Sequence, residues 1–259
     1  MKIWHMNGAG NDFVVLDARG LTLDFETLSK ELCARTGADG FMALDTSETA
    51  DFRLHFYNSD GSRGEMCGNG SRCICRFAYE NGIAGKKMVI ETDAGPVPGQ
   101  RLTETEYLVQ LNTPAVLDLN RKDGVAYVEL GCPGSPHAVV EVPGLSWDDQ
   151  DALREQAKAL RYDPAFPKGA NVNFYTHLNV PGSIRLLTYE RGVEDYTLAC
   201  GTGTGSTAAA LWAAGKLPGG KLVAKNLGGE LIAAVEAENG QITRLLLQGP
   251  TEITEIFEI

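Results

Sequence analysis

The sequence lacks any long hydrophobic run and any cluster of basic residues, and each shortage closes off a class of function. Nothing in the 259 residues approaches the ~18–20 consecutive apolar residues of a membrane-spanning helix. The opening Met1-Lys2-Ile3-Trp4-His5-Met6-Asn7 contains no apolar signal-peptide core. A cytoplasmic protein without a membrane partner is therefore expected. Lys and Arg number 23 against 34 Asp and Glu, a formal charge of −11. Nucleic-acid backbones are bound through clustered cations, so no nucleic-acid partner is expected, and a small or zwitterionic ligand fits better. Metal-ligand patterns are also missing. Cys73-Ile74-Cys75 is too tightly spaced for a zinc pair and no histidine pair complements it, so no metal is expected.

What is present is an ordinary globular composition, 43% hydrophobic and 22% charged, long enough for two lobes. Lys2 to Met6 and Phe13 to Asp17 read as strands. Residues 24–36 read as a helix with Phe25, Leu28 and Leu32 on one face and Gly37 as its C-terminal cap. Alternation from Asp51 to Tyr57 marks a half-buried strand that ends in the turn Asn58-Ser59-Asp60-Gly61. In the second half, Ser146-Trp147-Asp148-Asp149 starts a helix. Strand pairs then flank Pro181-Gly182 and Asn239-Gly240. Short strands with a helix in each half predict two α+β lobes, with a linker near Asn112-Thr113-Pro114.

A weak internal repeat carries the chemistry. Met66-Cys67-Gly68-Asn69-Gly70-Ser71 and Ala199-Cys200-Gly201-Thr202-Gly203-Thr204 share one pattern, and each precedes a helix-compatible run, residues 71–80 and 206–214. A helix N-terminus offers unpaired N–H groups and partial positive charge, which favour a thiolate and bind a carboxylate. Inverting an α-carbon needs one deprotonated and one protonated group on opposite faces. Two such loops facing each other would supply both and would stabilise carbanion charge. Cys67 and Cys200 are therefore read as a thiolate/thiol pair, and Cys33, Cys73, Cys75 and Cys132 as small core residues. A reducing compartment keeps all six as thiols.

Two other readings fit parts of the same sequence. Gly201-Thr202-Gly203-Thr204-Gly205-Ser206 is a partial dinucleotide fingerprint, with Ser in place of the third Gly or Ala and no buried strand before it. A thiol redox protein using Cys67 and Cys200 as a reversible disulfide is the second.

Seven motifs in order give a specific resemblance. They run from Asn7-Gly8-Ala9-Gly10-Asn11-Asp12 through Asn58-Ser59-Asp60-Gly61-Ser62 and Cys67-Gly68-Asn69-Gly70-Ser71-Arg72-Cys73 to Gly134-Ser135-Pro136-His137. Asn171-Val172-Asn173-Phe174, Tyr189-Glu190-Arg191-Gly192 and Ala199-Cys200-Gly201-Thr202-Gly203 complete the set. The chain resembles the diaminopimelate epimerase family of cofactor-independent epimerases and racemases. That resemblance implies two pseudo-symmetric lobes, each a curved, barrel-like mixed sheet around a central helix, with the active site in the cleft between them. It assigns residues 1–114 with 251–259 to the lobe carrying Cys67, and 115–250 to the lobe carrying Cys200.

The resemblance also implies interconversion of LL- and meso-2,6-diaminopimelate without pyridoxal phosphate or any other cofactor, in lysine and peptidoglycan synthesis. Cys67 and Cys200 fall on the acid/base pair, Cys67 being the base toward the LL-substrate. Gly68, Asn69, Gly201 and Thr202 fall on the carboxylate-binding loops. Asn11, Asn58, Asn171, Glu190 and Arg191 fall on substrate contacts, and His137 and Glu190 on residues that tune the thiols. Arg191 and Glu190 offer a cation and an anion to the second amino-acid centre. Relatives form dimers, so a homodimer is expected. Two positions depart from the family pattern: Ser135 replaces an Asn, and Gly40 stands where a substrate-contacting Gln is common. A relative acting on histidine, ornithine or a proline derivative is the alternative they leave open.

Overall fold

A computed structural model describes residues 1–132 and 134–259, in two compact units: 1–110 with 248–259, and 111–247. In the first unit, β1 (Lys2–Gly8) and β2 (Asn11–Asp17) form an antiparallel hairpin. Both strands run further than the hydrophobic pattern alone predicts. The turn is only Ala9 and Gly10, both at positive φ (58° and 92°), with Asn7 Oδ1 accepting from the Gly10 N–H at 2.9 Å. Helix α1 (Phe25–Thr36) starts at Asp24, whose carboxylate accepts the Thr27 N–H, and ends at Gly37 with φ 75°. It is the crossover that makes β3 (Gly40–Asp45) parallel to β2. The antiparallel β4 (Phe52–Asn58) buries Phe52, Leu54 and Phe56 and half-exposes Arg53 and His55, as the alternation predicts.

After the two-residue β5 (Arg63–Gly64), α2 (Gly68–Glu80) is a second crossover, leading to β6 (Lys87–Thr92) parallel to β4. The meander continues through β7 (Gly95–Arg101) and β8 (Glu106–Leu111). Strands β1, β2, β3, β6 and β7 all pack on α2, and every residue of α2 from Gly68 to Ala78 is buried. A helix buried all round is a core element.

The second unit repeats this plan. Strands β9 (Pro114–Lys122), β10 (Val125–Leu130) and β11 (Ser135–Glu141) are antiparallel neighbours. Ser146 caps a short 3₁₀ turn through a reciprocal capping box with Asp149, and α3 (Gln150–Arg161) follows with Ala157 and Leu160 buried. This crossover sets β12 (Asn171–His177) parallel to β11, and β13 (Ser183–Glu190) returns antiparallel around Gly182 at φ 74°. The three-residue β14 (Asp195–Thr197) leads into α4 (Gly201–Ala213), then β15 (Lys221–Asn226) parallel to β13. Strand β16 (Gly229–Glu238) pairs with β15 and is followed by β17 (Gln241–Pro250) across Asn239 and Gly240, both at positive φ, the signature of a type I′ hairpin turn. Helix α4 packs against β9, β10, β11, β12, β15 and β16. The last strand, β18 (Glu252–Glu258), pairs antiparallel with β1 in the first unit.

The fold is therefore α+β, with each unit built around a buried central helix. Each unit also carries an outer helix, α1 or α3, on the far side of its sheet strands. Among the described residues no helix is long and apolar enough to cross a membrane.

Candidate active site

Both cysteines of the internal repeat are helix N-caps. Cys67 (φ −126°, ψ 122°) precedes α2, and its Sγ accepts the Gly70 N–H at 3.5 Å. Cys200 (φ −117°, ψ 112°) precedes α4, and its Sγ accepts the Gly203 N–H at 3.3 Å. The first i→i−4 bonds, Ser71 N–H to Cys67 O and Thr204 N–H to Cys200 O, lie just beyond. A thiol seldom takes the capping place of Ser or Asp, so two of them on matching helices set these cysteines apart from the other four. Both helices begin earlier than their apolar runs predict, at Gly68 and Gly201. The glycine-rich segments are first helical turns, aimed as anion-binding N-termini. Gly201, Gly203 and Gly205 lie inside α4 and none has positive φ, whereas a dinucleotide loop puts its glycines in the turn before the helix.

Around Cys67, Asn69 and Asn11 come together: Asn69 Nδ2 donates to Asn11 Oδ1 at 2.5 Å. Asn69 Oδ1 in turn accepts from Arg72 Nη2 at 3.0 Å. Asn58 is the last residue of β4, its amide donating to Ser62 Oγ at 2.9 Å. Gly40 pairs with Asn58 across β3 and β4, and a Cβ there would lie 2.8 Å from Phe56 Cε2. The Phe56 ring fills the space that a longer side chain at 40 would need.

Around Cys200, the Thr202 hydroxyl lies 3.5 Å from the sulfur. Behind the loop is a buried network in which Asn173 and Thr188, given no role by the sequence, join His137. Asn173 Nδ2 donates to Ala138 O at 3.0 Å and to His137 Nδ1 at 3.1 Å, while its Oδ1 accepts from Thr188 Oγ1 at 3.0 Å. A backbone carbonyl only accepts, so the Asn173 orientation is fixed and His137 Nδ1 must be the acceptor. His137 therefore carries its proton on Nε2 and donates to Ser135 Oγ at 3.1 Å. Complete burial, with Arg191 as a lesser cause, pushes its pKa down to about 3, so it is neutral near pH 7. A polar residue mid-strand, like Asn173 in β12, was the available signal for this network.

Asn171 bridges the same region to the charged pair. Its Nδ2 donates to Pro136 O at 3.0 Å and its Oδ1 accepts the Arg191 N–H at 2.8 Å. The exposed Arg191 guanidinium donates to Lys168 O at 3.1 Å, and Glu190 Oε2 accepts from Thr197 Oγ1 at 3.0 Å. Asn171, Glu190 and Arg191 thus sit at the adjoining ends of β12 and β13.

The remaining cysteines divide. Cys33, Cys73 and Cys75 are buried, and desolvation pushes their thiols up, to about 11 for Cys33 and about 12 for Cys73. Cys132 is exposed, contrary to the core reading: it follows Gly131, at φ 83°, in the connection from β10 to β11, where no strand face can bury it. Among the described residues no three His, Cys, Asp or Glu side chains converge as metal ligands.

The model of the family described as diaminopimelate epimerase matches residues 3–116 and 132–252. The chain belongs to that family. It is 38% identical over 253 residues to the diaminopimelate epimerase of Chlorobaculum tepidum, covering 95% of this chain and 96% of that one. The diaminopimelate epimerase of Flavobacterium psychrophilum is 36% identical, covering 100% and 99%. Among solved structures, a Bacillus anthracis phenazine biosynthesis protein of the PhzF family superposes with a TM-score of 0.76 at 16% identity, covering 100% of this chain and 98% of that one. A hydroxyproline epimerase from Agrobacterium vitis with bound trans-4-hydroxy-L-proline gives 0.68 at 17%, covering 99% and 91%. At such identities these two share the fold.

Proposed function

We propose that this chain interconverts LL- and meso-2,6-diaminopimelate by proton transfer between Cys67, Cys200 and the substrate α-carbon. The observation that carries the reading is the duplicated cysteine N-cap on two buried helices, in a member of the diaminopimelate epimerase family. The thiolate of Cys67 takes the α-proton of the LL-isomer, leaving its electron pair on carbon. The thiol of Cys200 returns a proton to the opposite face. One turnover leaves Cys67 protonated and Cys200 as thiolate, so the reverse reaction starts from that state.

The α-carboxylate binds the first-turn N–H groups at Gly68, Asn69, Gly201 and Thr202, where helix polarity also stabilises carbanion charge. Asn11, Asn58 and Asn171 orient the substrate. Arg191 takes the distal carboxylate and Glu190 the distal ammonium. His137, being neutral, influences Cys200 through the Asn173 network and not as a charge. The same reading makes the protein a cofactor-independent, cytoplasmic enzyme that works as a homodimer. Sedimentation of the purified chain tests the dimer.

The deciding experiment is NMR of LL-diaminopimelate in D₂O with reduced protein. Deuterium at the α-carbon together with the meso isomer is the expected result. No exchange with thiols verified as reduced would overturn the assignment. Exchange confined to another amino acid would move the substrate to the alternative class and place Ser135 at its cause.

A further inference from the structure

Arg72 is entirely buried, yet its hydrogen-bond partners are a carbonyl and an amide instead of a carboxylate: Gly68 O at 3.3 Å and Asn69 Oδ1 at 3.0 Å. Desolvation lowers its pKa, opposed by the Cys73 and Cys67 thiols and by the Glu106 carboxylate, which acts at a distance without a hydrogen bond. From Arg72 the bonds run in one direction. Asn69 Nδ2 donates to Asn11 Oδ1 at 2.5 Å, and Asn11 Nδ2 donates to Asp39 Oδ2 at 3.4 Å. Asp39 is itself held, its Oδ2 accepting the Asp12 N–H at 2.9 Å, its N–H bonding Asp12 O and its carbonyl accepting from Ser59.

An Asn amide can turn over and exchange its oxygen and nitrogen with little change of shape, so an isolated Asn presents either edge to a ligand. A guanidinium only donates and a carboxylate only accepts. We propose that Arg72 and Asp39 are positioning residues, the donor-only and acceptor-only ends of a relay that locks Asn69 and Asn11 in single orientations. The proposal deepens the reading of Asn11 and Asn69 as substrate-binding residues and rests on it for its kinetic consequence. The second cysteine loop has no such cation: the position matching Arg72 is Gly205, where a Cβ would meet Leu111 Cδ1 at 2.6 Å. The relay is thus private to the Cys67 side.

The test uses the full chain with Asp39→Asn, Arg72→Gln and Arg72→Lys. The readouts are the side-chain amide ¹H–¹⁵N signals of Asn11 and Asn69, and KM against kcat. Asp39 is exposed, so Asp39→Asn keeps the test alive if Arg72→Gln fails to fold. Its replacement can donate as well as accept. It is expected to shift the Asn69 signals although Asp39 bonds only Asn11, and to raise KM about fivefold with a smaller change in kcat. Arg72→Lys, still donor-only, should preserve the amide signals better than Arg72→Gln. Arg72→Gln and Asp39→Asn should combine non-additively in KM. Unmoved Asn69 signals in Asp39→Asn would overturn the relay, and so would additive effects at the two ends. If the unsubstituted protein fails to turn over diaminopimelate, the amide signals still decide the relay, which separates its failure from that of the functional reading.

Discussion

Gly70 and Gly203 hold the same place in the two cysteine loops, each giving its N–H to the capping sulfur, yet the structure predicts opposite tolerance to alanine. A Cβ on Gly203 would lie 2.3 Å from Asn173 Oδ1, 3.2 Å from Thr188 Oγ1 and 3.2 Å from Cys200 Cβ. Asn173 has nowhere to go. It is fully buried and held by Thr188, His137 and Ala138. Losing two of those bonds leaves buried groups unpaired at ~1–3 kcal/mol each. Replacing glycine in a helix returns at most ~1 kcal/mol. The net expectation for Gly203→Ala is a loss of about 3 kcal/mol, with turnover reduced further because the Cys200 sulfur is displaced. On Gly70, the added Cβ meets Met42 Sδ at 3.1 Å and Phe13 Cε1 at 3.4 Å. A methionine side chain adapts, so Gly70→Ala should change stability by less than ~1 kcal/mol.

Urea unfolding of the two variants beside the parent protein measures the difference directly. A double variant, Gly203→Ala with Asn173→Ala, should be more stable than the sum of its parts, because the second change removes the atom that clashes. Gly203→Ala unfolding no more easily than Gly70→Ala, or a simply additive double variant, would rule out the clash with Asn173 as the cause.

Three further outcomes follow from the site. Cys67→Ala and Cys200→Ala should each abolish inversion while keeping the parent circular dichroism spectrum; near-normal turnover in either would refute the two-thiol scheme. His137 has its folded pKa depressed to about 3 against the ordinary 6.5. The unfolded chain therefore binds the extra proton first, and the stability conferred by the neutral imidazole, complete above pH 6.5, drains away as pH falls toward 3. The slope should approach ~1.4 kcal/mol per pH unit and should flatten in His137→Gln, as chemical denaturation across that range would show. Arg191→Ala should raise KM for diaminopimelate roughly 10- to 100-fold, the weight of a charge-assisted pair. It should leave stability nearly unchanged, because the side chain is exposed; an unaltered KM would remove Arg191 from the distal site.

How far the sequence could be read depended on whether the signal was local. The helix at 25–36 was legible because Asp24 and Gly37 terminate it by side-chain and αL capping, both local effects. The half-buried β4 was legible from strict alternation, and the hairpin turns from residues that tolerate positive φ. The true starts of α2 and α4 were not. Glycine disfavours a helix interior, so Gly68, Gly70, Gly201 and Gly203 read as loop, and at Gly203 only the packing against Asn173 shows why nothing larger fits. Cys132 was misplaced because burial of a lone cysteine depends on the strand face it joins, and it joins none.

The duplication illustrates the same limit on a larger scale. Only the two Cys-Gly segments survive as sequence similarity, but the plan behind them repeats element by element. In each unit an antiparallel pair leads through an outer crossover helix to a parallel partner. A second crossover helix, capped by the cysteine, then leads to another parallel partner. Backbone plan is preserved by pattern, while the residues behind each thiol have diverged: a buried cation and two amides on one side, a neutral histidine, an asparagine and threonines on the other. In the proposed two-thiol scheme the sulfurs start each turnover in opposite protonation states, and such a pair gains from unlike surroundings. A strictly symmetric pair would leave the two assignments of the single shared proton equal in energy, so each enzyme molecule would wait as often in the wrong state for a given isomer as in the right one. Unlike surroundings behind a repeated N-cap would let a duplicated fold bias that choice without altering the chemistry at sulfur.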